Sequence, residues 1–297
     1  MGYRSRQANY RTFRRHLSLP LVTVELSHGE RFDLRVHEAD IMIRKRSPDV
    51  LWHKERLLNL ATQALPPACD KVVWIDSDVI FENADWADRV ADALDRHAVV
   101  HPYSTVYRLA GDATSRGYDN EHVVKIGKSV VWKLLSADEP FPRIPRPVNG
   151  IGRGGGAWGL GLGARREIID EHGLYDACVV GGGDRAILCA ALGAFEHALH
   201  AIQMNEAFSR HYQAWARPFH QSVGGDVGCV ENSLCHLWHG EIEHRRYRER
   251  LRDLSRFEFD PASDLALDDD GCWRWSSDKT ELHAYVREYF RARREDG

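Results

Sequence analysis

Two kinds of apolar pattern follow one another along the chain and predict alternating strands and helices. Short β-branched runs at residues 21–26 and 72–75 have the length and composition of strands buried in a sheet. Before each of them, apolar residues recur at helical spacing, in residues 9–17 and 50–64. Helices and strands that alternate in this way predict a mostly parallel α/β sheet with helices on both faces.

The same patterns continue through the rest of the chain. They predict helices at residues 86–94, 164–171, 185–192 and 279–294, and further strands at residues 40–43, 97–100 and 273–275. No internal repeat and no linker divides the sequence, so we expect a single domain over residues 1–297.

The predicted strand at residues 72–75 ends in the sequence Asp76-Ser77-Asp78. A buried carboxylate is costly unless it is paired, hydrogen-bonded or bound to a metal, and ligands sit at the carboxyl ends of strands in parallel α/β sheets. Asp76 and Asp78 are two residues apart, so both side chains can face one crevice and hold a hard divalent cation through oxygen. A solvated turn after a strand gives the same pattern, and the motif alone leaves both interpretations open.

The composition narrows the class of protein. The chain has 297 residues, 43% of them hydrophobic, and a formal charge of -4, which gives no electrostatic footprint for nucleic acid. No apolar run approaches the roughly 20 residues of a transmembrane segment, and the first residues lack the apolar core of a signal peptide. We therefore expect a cytoplasmic protein. The six cysteines include no C-x-x-C pair and are expected to be reduced thiols.

Glycine is concentrated in two later segments. Residues 150–163 are rich in glycine, which allows the backbone to approach a ligand closely, but they have the context of neither a P-loop nor a dinucleotide-binding fingerprint. In the second segment Gly181, Gly182 and Gly183 precede Asp184 at the start of a predicted helix. Asp184 is thus a candidate general base that the helix N-terminus keeps ionised, or only the N-cap of that helix.

Together these segments resemble the GT-A glycosyltransferases, nucleotide-sugar-dependent enzymes with a Rossmann-like sheet, an Asp-x-Asp metal motif and a metal-linked histidine near the C-terminus. The resemblance covers about residues 21–250 and follows the order of motifs in that family. Besides Asp76-Ser77-Asp78 it rests on WHKERLLN at residues 52–59, GGAWG at 155–159, GLYD at 173–176, GGGD at 181–184, and His239-Gly240 with Arg245 and Tyr247.

The resemblance implies a metal centre. Sugar transfer from a nucleoside diphosphate must neutralise the leaving diphosphate, which Mn²⁺ or Mg²⁺ does as a Lewis acid. Asp78 would be the direct ligand, Asp76 the ribose-binding or water-bridged partner, and His239 would complete the shell, which favours Mn²⁺. His236 is the competing ligand, and a packed histidine beside Trp238 is the alternative for His239.

The resemblance also implies which residues bind the nucleotide-sugar donor and which bind the acceptor. Asp184 would deprotonate the acceptor hydroxyl in an inverting displacement, and Trp158 would stack on a sugar face or, alternatively, plug the core. The nucleotide-sugar donor, with UDP-sugar the first choice, would contact Lys54, Asn59, Asp76, Trp158, Gly182 and Gly183. Residues 1–100 would bind donor and metal, residues 101–255 would form the acceptor side, and residues 256–297 a C-terminal loop and helix.

The sequence departs from the family pattern at its start. A GT-A sheet has its first strand in the middle, but this sequence starts with the helix that should follow that strand, so either the sheet lacks that strand or Met1 is an internal methionine.

The leading expectation for the function is a hexosyltransferase that acts on a carbohydrate or other hydroxyl acceptor. The alternatives are a non-catalytic nucleotide or carbohydrate binder of this fold and a nucleotidyltransferase.

Overall fold

The computed structural model describes residues 3–111, 122–136 and 156–296. The helices are α1 (Arg4–His16), α2 (Lys54–Gln63), α3 (Trp86–Arg96), α4 (Val130–Ser136), α5 (Arg166–His172), α6 (Gly183–Ala191), α7 (Phe195–Ile202), α8 (Glu206–Val223), α9 (Glu249–Leu254), α10 (Pro261–Asp264) and α11 (Thr280–Ala292). The strands are β1 (Val22–Ser27), β2 (Ile41–Arg46), β3 (Lys71–Ile75), β4 (Val79–Phe81), β5 (Val99–His101), β6 (Thr105–Leu109), β7 (Val123–Lys128), β8 (Gly161–Arg165), β9 (Val227–Cys229), β10 (Ser233–His236), β11 (Leu265–Leu267) and β12 (Trp273–Trp275). Residues 150–155 of the glycine-rich segment lie outside the described residues.

Strand orientation is mixed. In the sheet ordered β3-β8-β5-β9, β8 is antiparallel to both neighbours, whereas β5 and β9 are parallel. In the sheet ordered β4-β10-β6-β7, β10 is antiparallel to β4 and parallel to β6. A parallel pair β1-β2 and an antiparallel pair β11-β12 complete the described strands. The fold is therefore mixed α/β, and the prediction of a mostly parallel sheet is corrected, since antiparallel pairs outnumber parallel ones among the described strands.

Most predicted elements form close to their predicted positions. The run at residues 72–75 is β3, and the helical pattern at residues 9–17 belongs to α1, which buries Tyr10 and Phe13. Helix α2 begins later than predicted, because the residues before it are held by another segment: the Trp52 N–H donates to the Val179 carbonyl over 2.9 Å.

Every helix in the described part of the chain is too short or too polar to span a membrane.

The sequence did not predict β8, since glycines at alternate positions lower strand propensity. Packing explains them: a side chain at Gly163 would touch Leu94 on α3 and Val73 on β3 at 3.4 Å. Strand β8 thus lies close beneath α3, and it leads the chain from Gly159 and Leu160 past the end of β3.

The main hydrophobic core fixes α6, the helix that carries Asp184. Helix α8 buries Tyr212 and Phe219 completely, and the Tyr212 hydroxyl donates to the Ala186 carbonyl over 2.8 Å. On α6 itself Ile187 and Leu188 are fully buried. Burial of each such side chain stabilises the fold by roughly 1.5–3 kcal/mol, so the start of α6 has a well-defined position.

Candidate metal centre

Strand pairing brings Asp78 to two histidines. The chain leaves β3 at Ile75, turns through residues 76–78 and enters β4, which belongs to the other four-stranded sheet. There β4 pairs with β10 so that Val79 lies opposite His236. The Leu237 N–H donates to the Asp78 carbonyl over 2.8 Å, which holds the segment containing His236 and His239 against the turn.

Asp78, His236 and His239 form a cluster whose ligand atoms all lie within 4.8 Å of one another. The two Nε2 atoms are 2.9 Å apart, and they lie 3.6 Å (His236) and 3.4 Å (His239) from the carboxyl oxygens of Asp78. Two ligands bound at ~2.1 Å and at right angles are ~3 Å apart, so these separations suit ligands on one face of a single cation. Two imidazoles and one carboxylate are a donor set that first-row transition metals prefer.

The electrostatics of the cluster also fit a cation. Both histidines are 8% exposed, and Asp78 Oδ1 is buried without a hydrogen-bond partner among the described residues. Burial, together with the charges of Arg108 and Arg245, lowers the pKa of His236 to about 4 against the opposing effect of Asp78. A neutral imidazole and an ionised carboxylate are the forms that bind metal ions. The buried carboxylate oxygen would gain in a cation the partner that it lacks.

Two arginines contact the far side of the imidazoles. Arg108 donates to Nδ1 of His236 over 3.1 Å, and Arg245 contacts Nδ1 of His239 and donates to its carbonyl over 2.9 Å. A neutral imidazole whose Nδ1 accepts a hydrogen bond carries its proton on Nε2, and two Nε2–H groups facing each other repel. A cation held by both Nε2 lone pairs would remove this conflict and leave the imidazole protons on Nδ1. Both guanidinium groups would then have to turn away from Nδ1.

Asp76 contacts Lys54 and is not part of the Asp78–His236–His239 cluster. Its Oδ1 lies 2.6 Å from Nζ of Lys54, and the same ammonium donates to both carboxyl oxygens of Asp184 over 2.9 Å. Burial alone would lower the pKa of Lys54, but Asp184 and Asp76 raise it well above its usual value. The structure thus places Asp76 in an ion-pair chain with Lys54 and Asp184. The ribose-binding or water-bridged role predicted for Asp76 stays a prediction, and His236 joins His239 as a ligand candidate.

Glu55 lies beside this ion-pair chain. It is 1% exposed, its Oε2 accepts a bond from the Trp52 indole over 3.0 Å, and its Oε1 has no partner among the described residues. Burial and the nearby charge of Asp184 raise the pKa of Glu55 to about 8. Two glycines make room for the acids: a Cβ on Gly183 would lie 2.2 Å from Glu55, and a Cβ on Gly159 would lie 2.4 Å from Oδ2 of Asp184.

Gly182 and Asn59, two of the predicted donor-binding residues, each have a role in the fold. Gly182 has a φ of 116°, in the left-handed region, at the N-cap of α6. The Asn59 amide donates to the Leu174 carbonyl and to Asp176, both over 3.0 Å, and its oxygen accepts from the Leu174 N–H over 2.7 Å. Asn59 therefore ties α2 to the segment before α6, and the donor contacts predicted for Asn59, Gly182 and Gly183 stay predictions.

Trp158 lies beside α6 and α7. The guanidinium carbon of Arg185 is 4.9 Å from its ring centroid, and His197 stacks on it with centroids 5.2 Å apart. The sugar-stacking role predicted for Trp158 stays a prediction.

Sequence reasoning missed three parts of the site. It treated His236 and His239 as competitors, although their spacing of three residues was a usable signal for two ligands of one metal. It gave no role to Glu55 or Arg108, since the contact of Arg108 with His236 depends on the pairing of β6 with β10. It named Arg245 only as part of the motif around His239, without the contact between the two side chains.

No family model matches this chain, and neither does any curated protein or solved structure.

Proposed function

We propose that the chain is a metal-dependent glycosyltransferase of the GT-A type that moves a sugar from a nucleoside diphosphate to a hydroxyl acceptor with inversion. The proposal rests on the connection between the candidate cation ligand and the candidate base. The candidate cation ligand Asp78 lies two residues from Asp76 in the sequence, and Lys54 links Asp76 to Asp184. The candidate cation ligand thus follows, after one intervening residue, an acid that shares the ammonium of Lys54 with the candidate base.

The ligands of the cation would be Asp78, His236 and His239, a set that supports Mn²⁺ over Mg²⁺ because Mg²⁺ prefers oxygen ligands. When bound, the cation would neutralise the negative charge that develops on the leaving diphosphate. Arg6 on α1 adds positive charge here, since its guanidinium interacts electrostatically with Asp78 and Asp76. Nε and Nη2 of Arg6 are bonded to Glu295, so Arg6 would favour a diphosphate through its positive charge and its remaining N–H groups.

Asp184 would act as the base. It would take the proton of the acceptor hydroxyl while that oxygen bonds to the anomeric carbon and the bond from this carbon to the diphosphate breaks. Because Lys54 holds both oxygens of Asp184, an acceptor would have to displace it from one of them. The absence of a side chain at Gly159 leaves Oδ2 room for this, and Asp76 would retain the ammonium.

A screen of nucleotide sugars with Mn²⁺ tests the proposal. The purified protein is incubated with UDP-, GDP-, CMP- and TDP-sugars and a panel of hydroxyl acceptors, and free nucleotide is measured with and without EDTA. We expect release of the nucleoside diphosphate from one donor, dependent on Mn²⁺ and absent in Asp78→Asn. A native-state donor should also raise the melting temperature.

The two alternative functions give different results when the screen also includes nucleoside triphosphates and a pyrophosphate assay. A non-catalytic binder would show the thermal shift with a nucleotide or sugar but no nucleotide release by any donor. A nucleotidyltransferase would release pyrophosphate from a nucleoside triphosphate. No thermal shift and no release with any donor in the presence of Mn²⁺ would contradict the proposal.

A further inference from the structure

We infer that Glu295, more than two hundred residues from Asp78 in the sequence, is a positioning residue for the candidate metal centre, acting on His239 through Arg245. The inference rests on the cation-binding part of the proposed function and is independent of sugar transfer.

Three guanidinium groups contact the buried carboxylate of Glu295. Its side chain is 1% exposed. Arg6 donates to Oε1 over 2.8 Å and also bonds Oε2, Arg293 contacts Oε1, and Nη2 of Arg245 lies 3.5 Å from Oε1. Although burial alone would raise the pKa of Glu295, the bond from Arg6 lowers it below its usual range, so the carboxylate is ionised.

Arg245 connects this carboxylate to a metal-ligand candidate. The same Nη2 that faces Glu295 donates to the His239 carbonyl over 2.9 Å and contacts His239 Nδ1. Cation binding through Nε2 requires Nδ1 to carry the proton, so Arg245 must leave Nδ1 but can keep the carbonyl. Glu295 then supplies the acceptor that Arg245 turns to, and the guanidinium stays in place beside His239.

The backbone around His239 is fitted to the same segment. Gly240 has a φ of 99°, and a Cβ there would lie 3.0 Å from the Cα of Glu295 and 3.2 Å from the Arg294 carbonyl. Asn9 on α1 donates to the Trp238 carbonyl over 2.8 Å. The loop that carries His239 is therefore held between α1 and the segment around Glu295.

Loss of the Glu295 charge would act on the centre in two ways. Arg245 would lose the acceptor that orients it, and the positive charges of Arg6, Arg245 and Arg293 would be left without their shared anion close to a divalent cation. Both effects weaken cation binding. Direct partners of metal ligands change metal affinity by about 10- to 100-fold when they are removed. Glu295 lies one contact further out than Arg245, so we expect Glu295→Gln to weaken binding by about 10-fold, the lower end of this range.

The test is a titration with Mn²⁺ alone, followed by the electron paramagnetic resonance signal of the free ion. Asp296→Asn is the matched control, because Asp296 contacts the backbone N–H groups of Arg4 (3.0 Å) and Ser5 (2.8 Å) at the start of α1. We expect parent affinity in Asp296→Asn, a loss in Glu295→Gln, and an intermediate affinity in Glu295→Asp, which keeps the charge. If Glu295→Gln does not fold, Glu295→Asp provides the comparison.

A double variant separates positioning from a general effect on the fold. If Glu295 acts through Arg245, Arg245→Lys combined with Glu295→Gln should bind Mn²⁺ no more weakly than the weaker of the two single variants. Additive losses, or parent affinity in the folded Glu295 variants, would overturn the inference while leaving the proposed function intact. If the parent protein binds no Mn²⁺, both fail together.

Discussion

The ammonium of Lys54 lies 2.9 Å from each carboxyl oxygen of Asp184. The two residues are 130 positions apart, and the same ammonium contacts Asp76 at 2.6 Å. One cation thus serves two partly buried acids, whose side chains are 27% (Asp76) and 22% (Asp184) exposed, and the charge balance around the candidate base depends on Lys54.

Replacement of Lys54 by Met should destabilise the protein strongly. Removing one partner of a fully buried ion pair leaves uncompensated charge and costs about 3–5 kcal/mol, which is the upper limit for this partly buried network. Urea unfolding measures the loss. Lys71→Met is the control, because its partner Asp95 is 63% exposed and such surface pairs contribute at most about 1 kcal/mol. Equal effects of the two substitutions would mean that the Lys54 network is not buried as the structure indicates.

Glu55 should make stability fall as pH rises. Its pKa is about 8 in the folded protein against an ordinary 4.5, so between these values the folded protein binds one proton more than the unfolded chain. The free energy of unfolding then decreases by up to about 1.4 kcal/mol per pH unit from this group. Glu55→Gln removes the contribution and should flatten the dependence between pH 5 and 8.

Urea unfolding at several pH values checks this prediction. Glu288→Gln is the control, since the Glu288 side chain is 71% exposed, and it should leave the slope of the parent unchanged. The same slope in Glu55→Gln and in the parent protein would show that Glu55 is ionised in the fold.

Asp184→Asn should leave donor binding intact and lower turnover by roughly a hundredfold or more, the scale of a lost general base. Donor affinity by calorimetry and nucleotide release by a coupled assay separate the two quantities. Equal turnover in the variant and the parent would make Asp184 only a residue at the start of α6.

Gly159→Ala tests the placement of Asp184 without changing its chemistry. The added Cβ would lie 2.4 Å from Oδ2, so the carboxylate has to move, and a displacement of ~1 Å can reduce turnover about a hundredfold. Mn²⁺ affinity should be unchanged. Gly29→Ala is the control, because a Cβ at Gly29 meets no atom within 4 Å. Full activity of Gly159→Ala would show that Asp184 does not need its present position.

Much of the local structure was predictable because it depends on local pattern. Strand β3 is a β-branched run between turn-forming residues, and α1 carries its apolar residues on one face. The carboxylates after β3 also stood out, since a buried strand that ends in charge requires partners. Asp78 and His239 were placed in one site from the family resemblance, and the structure brings them together.

The remainder depends on pairings between distant segments. Asp76 and Asp78 are equivalent in sequence, but the chain crosses from one sheet to the other between them, so one contacts Lys54 and the other the histidines. The antiparallel strand β8 was missed because its glycines serve packing against α3 and β3. Glu295 has no sequence signal, since its role comes from the fold that brings it to Arg245.

Titration with Mn²⁺ of the parent protein and of Asp78→Asn, His236→Gln and His239→Gln tests the central claim most directly. If the three residues hold one cation, the parent binds a single Mn²⁺ and each variant loses this site while remaining folded. His172→Gln, at a histidine that bonds Ser222 on α8, should bind as the parent does. Absence of Mn²⁺ binding in the parent, or equal affinity in all four variants, would contradict the account.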